Sequence, residues 1–326
     1  MRRHLTSALL LVSTLAIGLA AHAQVEGPVP TQALVAVDTN SIAPITADSL
    51  KLTVNDHPQP MTAWTPLQSA NTQVALLIDG GLRQNFGREI DNLGSFVRTL
   101  SPGVEVLIGY MEYGHVLVVQ PFTADHTLAA STLHIPEGNP GMSGSPYICI
   151  SDFVKNWPGP AGSSSPRKAR FILAITDGVD PYNGSTSIMN QGSPYVDDAI
   201  MQAQRAGVAV YAIYFSDAGI EGGMADNSGQ NYLSQMTHAT GGISYWEGVG
   251  NPVSTRPFLQ QFQHSIAESY IATFNAPAMG NDPGGLANVK FDVIKPPKPP
   301  KSKGPKVPAV KTTLHAPEKV RPGNVE

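Results

Sequence analysis

The side chains that could do nucleophilic chemistry lie in a short run of glycine and serine, Gly141-Met-Ser-Gly-Ser145. Its spacing is close to Gly-x-Ser-x-Gly, the sharp turn that presents a catalytic serine at the end of a strand. The closing glycine is missing because Ser145 stands there, and no apolar strand leads into the run. The sequence therefore disfavours a serine hydrolase, and we expect no enzyme.

Two further groups of side chains could bind a metal ion. The loop from Asp177 to Gly184 also contains Asp180, but its spacing is unlike an EF-hand and no Glu closes it. A turn rich in Asp and Gly is favoured there, with Asp180 adding negative charge. The nine histidines are scattered without a His-x-x-x-His pair, and Cys149 is the only cysteine. This pattern disfavours a zinc site.

Three nearly continuous apolar runs predict the strands that position these residues. They cover residues 74–78, 171–175 and 208–215, and such runs are typical of parallel strands covered on both faces. Apolar residues between them repeat every three or four positions, as on one helix face; the clearest set is Phe86, Ile90, Leu93, Val97 and Leu100. Residues 104–119 predict a hairpin. We therefore predict a doubly wound α/β fold, with a mostly parallel sheet and one antiparallel edge strand.

The two ends of the chain differ from this body. Arg2 and Arg3 precede an apolar run that ends in Ala21-His-Ala23, which predicts a signal peptide over residues 1–23, cleaved near Ala23-Gln24. We predict a small β extension over 24–66, the main domain over 67–276, a closing strand in 277–294 and a disordered Lys/Pro-rich tail over 295–326. After cleavage we expect no transmembrane span and a secreted or periplasmic location.

Charge separates the tail from the body. The chain has 21 Lys and Arg against 25 Asp and Glu, but residues 24–294 hold 11 basic and 23 acidic side chains, whereas residues 295–326 hold eight basic and two acidic ones. An acidic body disfavours nucleic acid as a partner. The tail is either a solvated spacer or a basic arm that contacts anionic envelope polymers.

Four segments stand in the order and spacing of a known family. They are 74–79, 167–178, 207–213 and 239–242, and with them the chain resembles the von Willebrand factor type A domain over residues of about 67–275. The segments 44–48 and 55–60 resemble the N-terminal extension of a secreted bacterial subgroup, the VWFA-related proteins.

This resemblance implies a protein-binding domain with a metal-ion-dependent adhesion site. In the family, the pattern Asp-x-Ser-x-Ser, a later Thr and a second Asp hold Mg²⁺ or Mn²⁺, which prefer oxygen ligands. Asp79 and Asp177 match the two aspartates. Ser145 matches the Thr, and Ser143 is the alternative.

The chain departs from this pattern at both serines, which are replaced by Gly81 and Arg83. A guanidinium group cannot bind a metal ion and repels one at short range. The resemblance thus implies a vestigial site at Asp79, Ser145 and Asp177, with weak or absent Mg²⁺ or Mn²⁺ binding and no other cofactor. Arg83 would pair with Asp79 or Asp177. The residues expected to contact a ligand are Arg83, Gly81, Ser143, Asp180 and Asp217.

The function expected from the sequence is that of a secreted, non-enzymatic protein-binding or adhesion module. Its ligand would be a protein of the cell envelope or the extracellular space. A structural component of an envelope assembly is the alternative, and an envelope hydrolase is a more distant one.

Overall fold

A computed structural model of the chain describes residues 27–325, except 42, 83, 140, 160–167, 181–191, 217–222, 249, 279–284 and 295–309. The signal peptide and its cleavage site, Arg83 and Asp217 lie outside the described residues. The described strands are β1 Val29–Thr39, β2 Leu50–Val54, β3 His57–Gln59, β4 Met61–Pro66, β5 Thr72–Asp79, β6 Glu105–Glu112, β7 His115–Thr123, β8 Ala169–Thr176, β9 Val208–Tyr214, β10 Ser244–Tyr245, β11 Ser269–Ala276, β12 Ala287–Val293, β13 Thr312–His315 and β14 Lys319–Val320. The described α-helices are α1 Ile90–Thr99, α2 His126–Ser131, α3 Pro146–Lys155, α4 Pro194–Ala206, α5 Gly223–Thr240 and α6 Arg256–Ala267.

The central sheet has the strand order β10-β9-β8-β5-β6-β7. All of its strand pairs are parallel except that of β6 with β7, the antiparallel edge strand. If the six strands are numbered 1 to 6 along the chain, starting at β5, their order from the edge strand β7 is 3-2-1-4-5-6, the doubly wound order. The direction in which successive strands are added to the sheet reverses between β5 and β8. The predicted fold class and the predicted hairpin are therefore confirmed.

Helices cover both faces of this sheet, as the apolar runs require. Along β5, Val74, Leu76 and Ile78 pack in a core with α1, α2 and α6. Ala75 and Leu77 pack in a second core with α3, α4 and α5. Because alternate side chains point to opposite faces, a strand between two layers of helices must be apolar at nearly every position.

Two smaller antiparallel sheets, with the orders β13-β1-β11-β4 and β14-β12-β2-β3, form a separate layer. Their shared core contains Ala33, Leu52, Phe274 and Val289. The predicted extension and closing strand thus belong to one β-sandwich. The boundary at residue 276 does not separate units, because β11 pairs with β1 along eight residues from Ala36 to Val29.

The prediction of a disordered tail is wrong for residues 310–325. β13 pairs with β1 at Ala36–Thr39, and β14 pairs with β12 at Ala287 and Asn288. Val320 is buried against the sandwich. The Lys/Pro composition of the whole tail hid a short Thr-Thr-Leu-His strand. The backbone N–H and C=O groups of this strand are hydrogen-bonded to the edge of the existing sheet at β1. The remaining tail residues, 295–309, lie outside the described part of the chain.

Within the described part of the chain, none of the helices combines the length and apolar character needed to cross a bilayer.

Candidate functional site

Asp79 is the last residue of β5 and is almost completely buried, with 4% of its surface exposed. The parallel register pairs Ile78 with Ile175 of β8, so Thr176 lies beside Asp79. The Thr176 hydroxyl donates to Asp79 Oδ2 at 2.7 Å, and the Gly81 backbone N–H donates to Oδ1 at 3.0 Å. Both carboxylate oxygens therefore have donors from the protein itself.

Burial controls the protonation of this carboxyl group. Removal from water raises the pKa of Asp79 above its ordinary value of 3.8, while hydrogen bonds from Thr176, Gly81 and Ser143 oppose the rise. The net direction is upward because desolvation of the charged form outweighs the three donors. Asp79 is thus a costly group for the fold to bury, as is common at functional sites.

Gly81 explains why the first serine of the family pattern is missing. A β-carbon at this position would lie 3.1 Å from the carbonyl oxygen of Asn139 and 3.3 Å from Asp79 Oδ1. The same loop is held down by the backbone N–H of Gly138, which donates to the carbonyl of Gly80 at 3.1 Å. The loop before α3 therefore closes over the place where a serine hydroxyl would stand.

Ser143, and not Ser145, lies at Asp79. The hairpin turn between β6 and β7 fixes this segment, since the N–H groups of Tyr113 and Gly114 donate to the carbonyls of Met142 and Ser143 at 2.7 and 2.9 Å. The Ser143 hydroxyl is among the donors that lower the Asp79 pKa. Ser145 is instead the N-cap residue of α3, and its buried hydroxyl has no hydrogen-bond partner among the residues that the structure describes.

Asp177 follows β8 and turns back on its own loop. Its Oδ1 accepts from the backbone N–H of Val179 at 2.9 Å, and its side chain is partly exposed. Gly178, with φ of +67°, packs against α5 so tightly that a β-carbon would lie 2.6 Å from Leu233 Cγ. The Tyr147 hydroxyl donates to the Gly178 carbonyl at 2.9 Å. The loop that carries Asp177 is thus clamped between α3 and α5.

Asp180 is hydrogen-bonded at the start of α4. It is buried and accepts a short hydrogen bond from the hydroxyl of Ser193, the N-cap residue of α4. Burial, followed by the charges of Asp177 and Asp180, raises the pKa of Tyr147 well above its ordinary value. The charges of both aspartates thus raise the pKa of Tyr147 on α3.

The structure brings Asp79, Ser143 and Gly81 together and places Asp177 one residue beyond the Thr176 that binds Asp79. We call this group, Asp79, Gly81, Ser143, Thr176 and Asp177, the crevice. Sequence reasoning missed Thr176 as a member. Its signal was available, because a hydroxyl residue at the end of β8 must face the end of the neighbouring strand β5. Across the described ranges, no group of three or more His, Cys, Asp or Glu side chains is placed to hold a metal ion.

Comparison with known proteins adds structures of low sequence identity. No protein-family model and no curated protein matches the chain. It is similar to an aerotolerance-related membrane protein from Bacteroides fragilis NCTC 9343, with 13% identity over 60% of this chain and 98% of that one and a TM-score of 0.40. It is also similar to BatB from Bacteroides thetaiotaomicron, with 14% identity over 60% and 97% of the two chains and a TM-score of 0.39. For a von Willebrand factor type A structure from Catenulispora acidiphila, the identity is 10% over 91% and 75%, and the TM-score is 0.42.

The strand connections of the chain itself define its fold. The strand order, the antiparallel edge strand and the two aspartates after β5 and β8 agree with the resemblance found in the sequence. The chain has a doubly wound α/β domain whose strand order agrees with its resemblance to the von Willebrand factor type A domain, and this domain is joined to a β-sandwich built from strands that precede and follow it in the sequence.

Proposed function

We propose that the chain is a non-enzymatic protein-binding module whose crevice binds an acidic side chain of a protein ligand. In doubly wound sheets, ligands bind outside the carboxyl ends of the strands, where the strand order changes direction. The crevice lies at that point, between β5 and β8. The observation that carries the proposal is the buried Asp79 at this position, which is satisfied by Thr176 and Gly81.

Arg83 is proposed to supply the positive charge of the site. It follows Leu82, which is buried, and precedes the 3-10 helix Gln84–Glu89. A guanidinium group at this end of β5 offers a carboxylate two parallel N–H donors. This would replace the open metal position through which the related domains accept an acidic side chain.

The crevice fits Mg²⁺ or Mn²⁺ poorly. Such ions need several oxygen atoms around an octahedron, but Gly81 supplies no side-chain oxygen and the Asn139 loop closes over it. Both oxygens of Asp79 already accept hydrogen bonds. We therefore propose a vestigial adhesion site, in which Asp79, Ser143 and Asp177 bind a divalent ion weakly or not at all.

Serine chemistry is not favoured by the same geometry. Among the described residues, no histidine is hydrogen-bonded to the hydroxyl of Ser143 or Ser145. Nucleophilic serines require an adjacent base for activation. We therefore retain the proposal that the chain is not an enzyme.

The test compares proteins captured from a cell-envelope extract by the immobilised full chain and by its Arg83→Ala variant. Arg88→Ala is the matched control, because Arg88 is exposed on the neighbouring 3-10 helix and its Nε donates to the Asn85 carbonyl of the same helix at 3.4 Å. A partner bound by the wild type and by Arg88→Ala, and lost by Arg83→Ala, is the expected result. Identical capture by all three proteins would overturn the proposal.

A structural role in an envelope assembly remains the second sequence-based hypothesis, with 24–66 and 295–326 as docking elements. Truncation at residue 66 or 294 cannot test it cleanly. Such truncations remove β1 or β13, which pair with other strands of the chain. Point variants on exposed positions of these strands are the appropriate tools.

We also propose a secreted or periplasmic location. It is supported by the sequence of residues 1–23, with two arginines, an apolar run and a small-residue end. The test is N-terminal sequencing of the protein from its natural host. A mature chain beginning at Gln24 is expected, and a chain retaining Met1 would contradict the proposal.

A further inference from the structure

A second cleft lies at the opposite side of the central sheet from its antiparallel edge. It has a volume of about 380 Å³ and is formed by α6, the end of β1, the edge strand β10 and β13. β10 is three strands away from β5 in the sheet order, so the cleft is separate from the crevice. β1 and β13, which are more than 250 residues apart, therefore converge with β10 and α6 on one cavity.

The floor of the cleft combines an apolar surface with one buried hydroxyl. Tyr245 is 5% exposed, and its ring stacks on Phe258 with centroids 5.7 Å apart. Among the described residues its hydroxyl has no hydrogen bond of standard geometry, and the Ser265 hydroxyl lies close enough to lower its pKa. The nearby Ser265 hydroxyl donates to the Gln261 carbonyl at 3.0 Å. Buried hydroxyl groups normally have a well-aligned partner, so a Tyr245 hydroxyl that lines a cavity and lacks one among the described residues can hydrogen-bond a ligand atom.

The mouth of the cleft carries one carboxylate. Asp38 of β1 is exposed there, and within the described residues its side chain forms no ion pair or hydrogen bond. Burial raises the pKa of the Tyr245 hydroxyl to about 12; the Ser265 hydroxyl opposes the rise, and the charge of Asp38 adds to it. Asp38 is thus close enough to act together with Tyr245.

Among the described residues that line the cleft there is no lysine or arginine, and the basic side chains are His264 and His315. Burial lowers the pKa of His315; the charge of Asp38 opposes this, and the nearby His238 adds to it. His315 is therefore largely uncharged at neutral pH. The cleft has a carboxylate at its mouth and an apolar floor, a combination that disfavours anionic ligands.

We propose that this cleft binds a small ligand through an ammonium or guanidinium group, with Asp38 as counter-ion and the Tyr245 hydroxyl as an additional hydrogen-bonding group. The hydrocarbon part of the ligand would lie on Ala36, Ile243 and Pro257. β13 completes the site by contributing His315. This assigns a role to the C-terminal strand beyond its pairing with β1.

The test is an NMR titration of the full ¹⁵N-labelled chain with agmatine, which carries both cationic groups. We expect saturable shifts of the amides of Asp38, Tyr245 and His315. Asp38→Asn should weaken binding severalfold, because an ion pair with an exposed carboxylate is only modestly stabilising. Tyr245→Phe, which keeps the stacked ring, should weaken it severalfold. Asp48→Asn is the matched control, because Asp48 is an exposed aspartate that does not line the cleft.

Uncharged myo-inositol and anionic glutarate are titrated in parallel. Binding of agmatine alone, reduced in Asp38→Asn and unchanged in Asp48→Asn, supports the proposal. The absence of cleft shifts at about 10 mM agmatine, equal or tighter binding of myo-inositol or glutarate, or an unaffected Asp38→Asn variant would overturn it. Circular dichroism of each variant separates loss of the site from loss of the fold.

Discussion

Replacing Thr176 by valine tests how the protein satisfies its buried aspartate. Valine has nearly the same shape, so Thr176→Val removes the hydroxyl without opening a cavity. That hydroxyl donates to Asp79 Oδ2 at 2.7 Å and accepts from the Gly178 N–H at 3.1 Å. Because Thr176 is completely buried, water does not replace either bond.

The size of the effect follows from these two bonds. A hydrogen bond to a charged group contributes about 1.5–3 kcal/mol, and an unsatisfied buried N–H costs about 1–3 kcal/mol. We expect Thr176→Val to lower the free energy of unfolding by about 3 kcal/mol at neutral pH. Thr72→Val is the matched control at the other end of β5. Its hydroxyl is equally buried but donates to a neutral carbonyl, that of Gln68, at 2.9 Å, so we expect a loss of about 1 kcal/mol.

The two variants should also differ in their dependence on pH. Burial raises the folded-state pKa of Asp79 above its ordinary value of 3.8. In the wild-type chain, protonated Asp79 therefore contributes its full stability at pH values below the pKa of Asp79 in the unfolded chain. That contribution is lost as the pH rises through the pKa of Asp79 in the folded chain. Loss of the Thr176 donor raises the folded pKa further, so the deficit of Thr176→Val should grow as the pH rises from about 4 to about 7.

Urea unfolding followed by tryptophan fluorescence measures these free energies. Two results would contradict this expectation. One is a loss of unfolding free energy in Thr176→Val that is no larger than in Thr72→Val, and the other is a loss in Thr176→Val that is the same at both ends of the pH range. Either result would mean that the Thr176 hydroxyl does not stabilise the ionised carboxyl of Asp79.

Three further predictions follow from single contacts. Gly229 of α5 lies so close to the Asp177 carbonyl that a β-carbon would overlap it, so Gly229→Ala should lower the free energy of unfolding by about 1–3 kcal/mol although alanine favours helices. Gly159→Ala is the control, because a β-carbon there meets open space, and it should leave the free energy of unfolding nearly unchanged. Equal losses in the two variants would contradict this packing. Burial acts to raise the pKa of Asp198, but hydrogen bonds from Gln202, Lys155 and Ser151 hold it at about 2, so its stabilisation should be lost as the pH falls from about 4 to about 2; in acid titrations by circular dichroism, Asp198→Asn should lack this contribution and the neighbouring Asp197→Asn should retain it. Burial raises the pKa of the Cys149 thiol to about 12, so a thiol reagent at about pH 8 should modify the unfolded chain and not the folded one; rapid modification of the folded chain would show that the thiol is accessible.

The sequence was most informative where packing leaves a local pattern. Strands β5, β8 and β9 are apolar at nearly every position because helices cover both faces of the sheet. The face of Leu93 and Val97 on α1 was predicted by its helical repeat, and both residues are buried. Such features depend on the residues within one element, so they can be predicted without knowing the rest of the chain.

Contacts between distant segments left no comparable signal. β1 pairs with β11 and β13, which follow it by more than 200 residues, and β12 pairs with β2. β13 is only four residues long and follows a Lys/Pro-rich segment, so its composition hid its role. A short strand on the edge of a sheet is stabilised by its partner and not by its own sequence.

The crevice shows the same division at the level of single residues. Asp79 and Asp177 were predicted correctly to follow neighbouring strands. The choice between Ser143 and Ser145 depended on where the β6–β7 turn holds the loop, through Tyr113 and Gly114. No spacing rule within the loop encodes that contact, so the sequence left both serines open and favoured the one that caps α3.

The most direct test of the central claim is a calorimetric titration of the full chain with Mn²⁺ and Mg²⁺. The claim is that donors of the protein, and not a bound ion, satisfy the carboxylates of the crevice. We expect no binding at micromolar concentrations, and at most a weak response at about millimolar ion in both the wild type and Asp177→Ala. A micromolar site with one ion per chain that disappears in Asp177→Ala would contradict it.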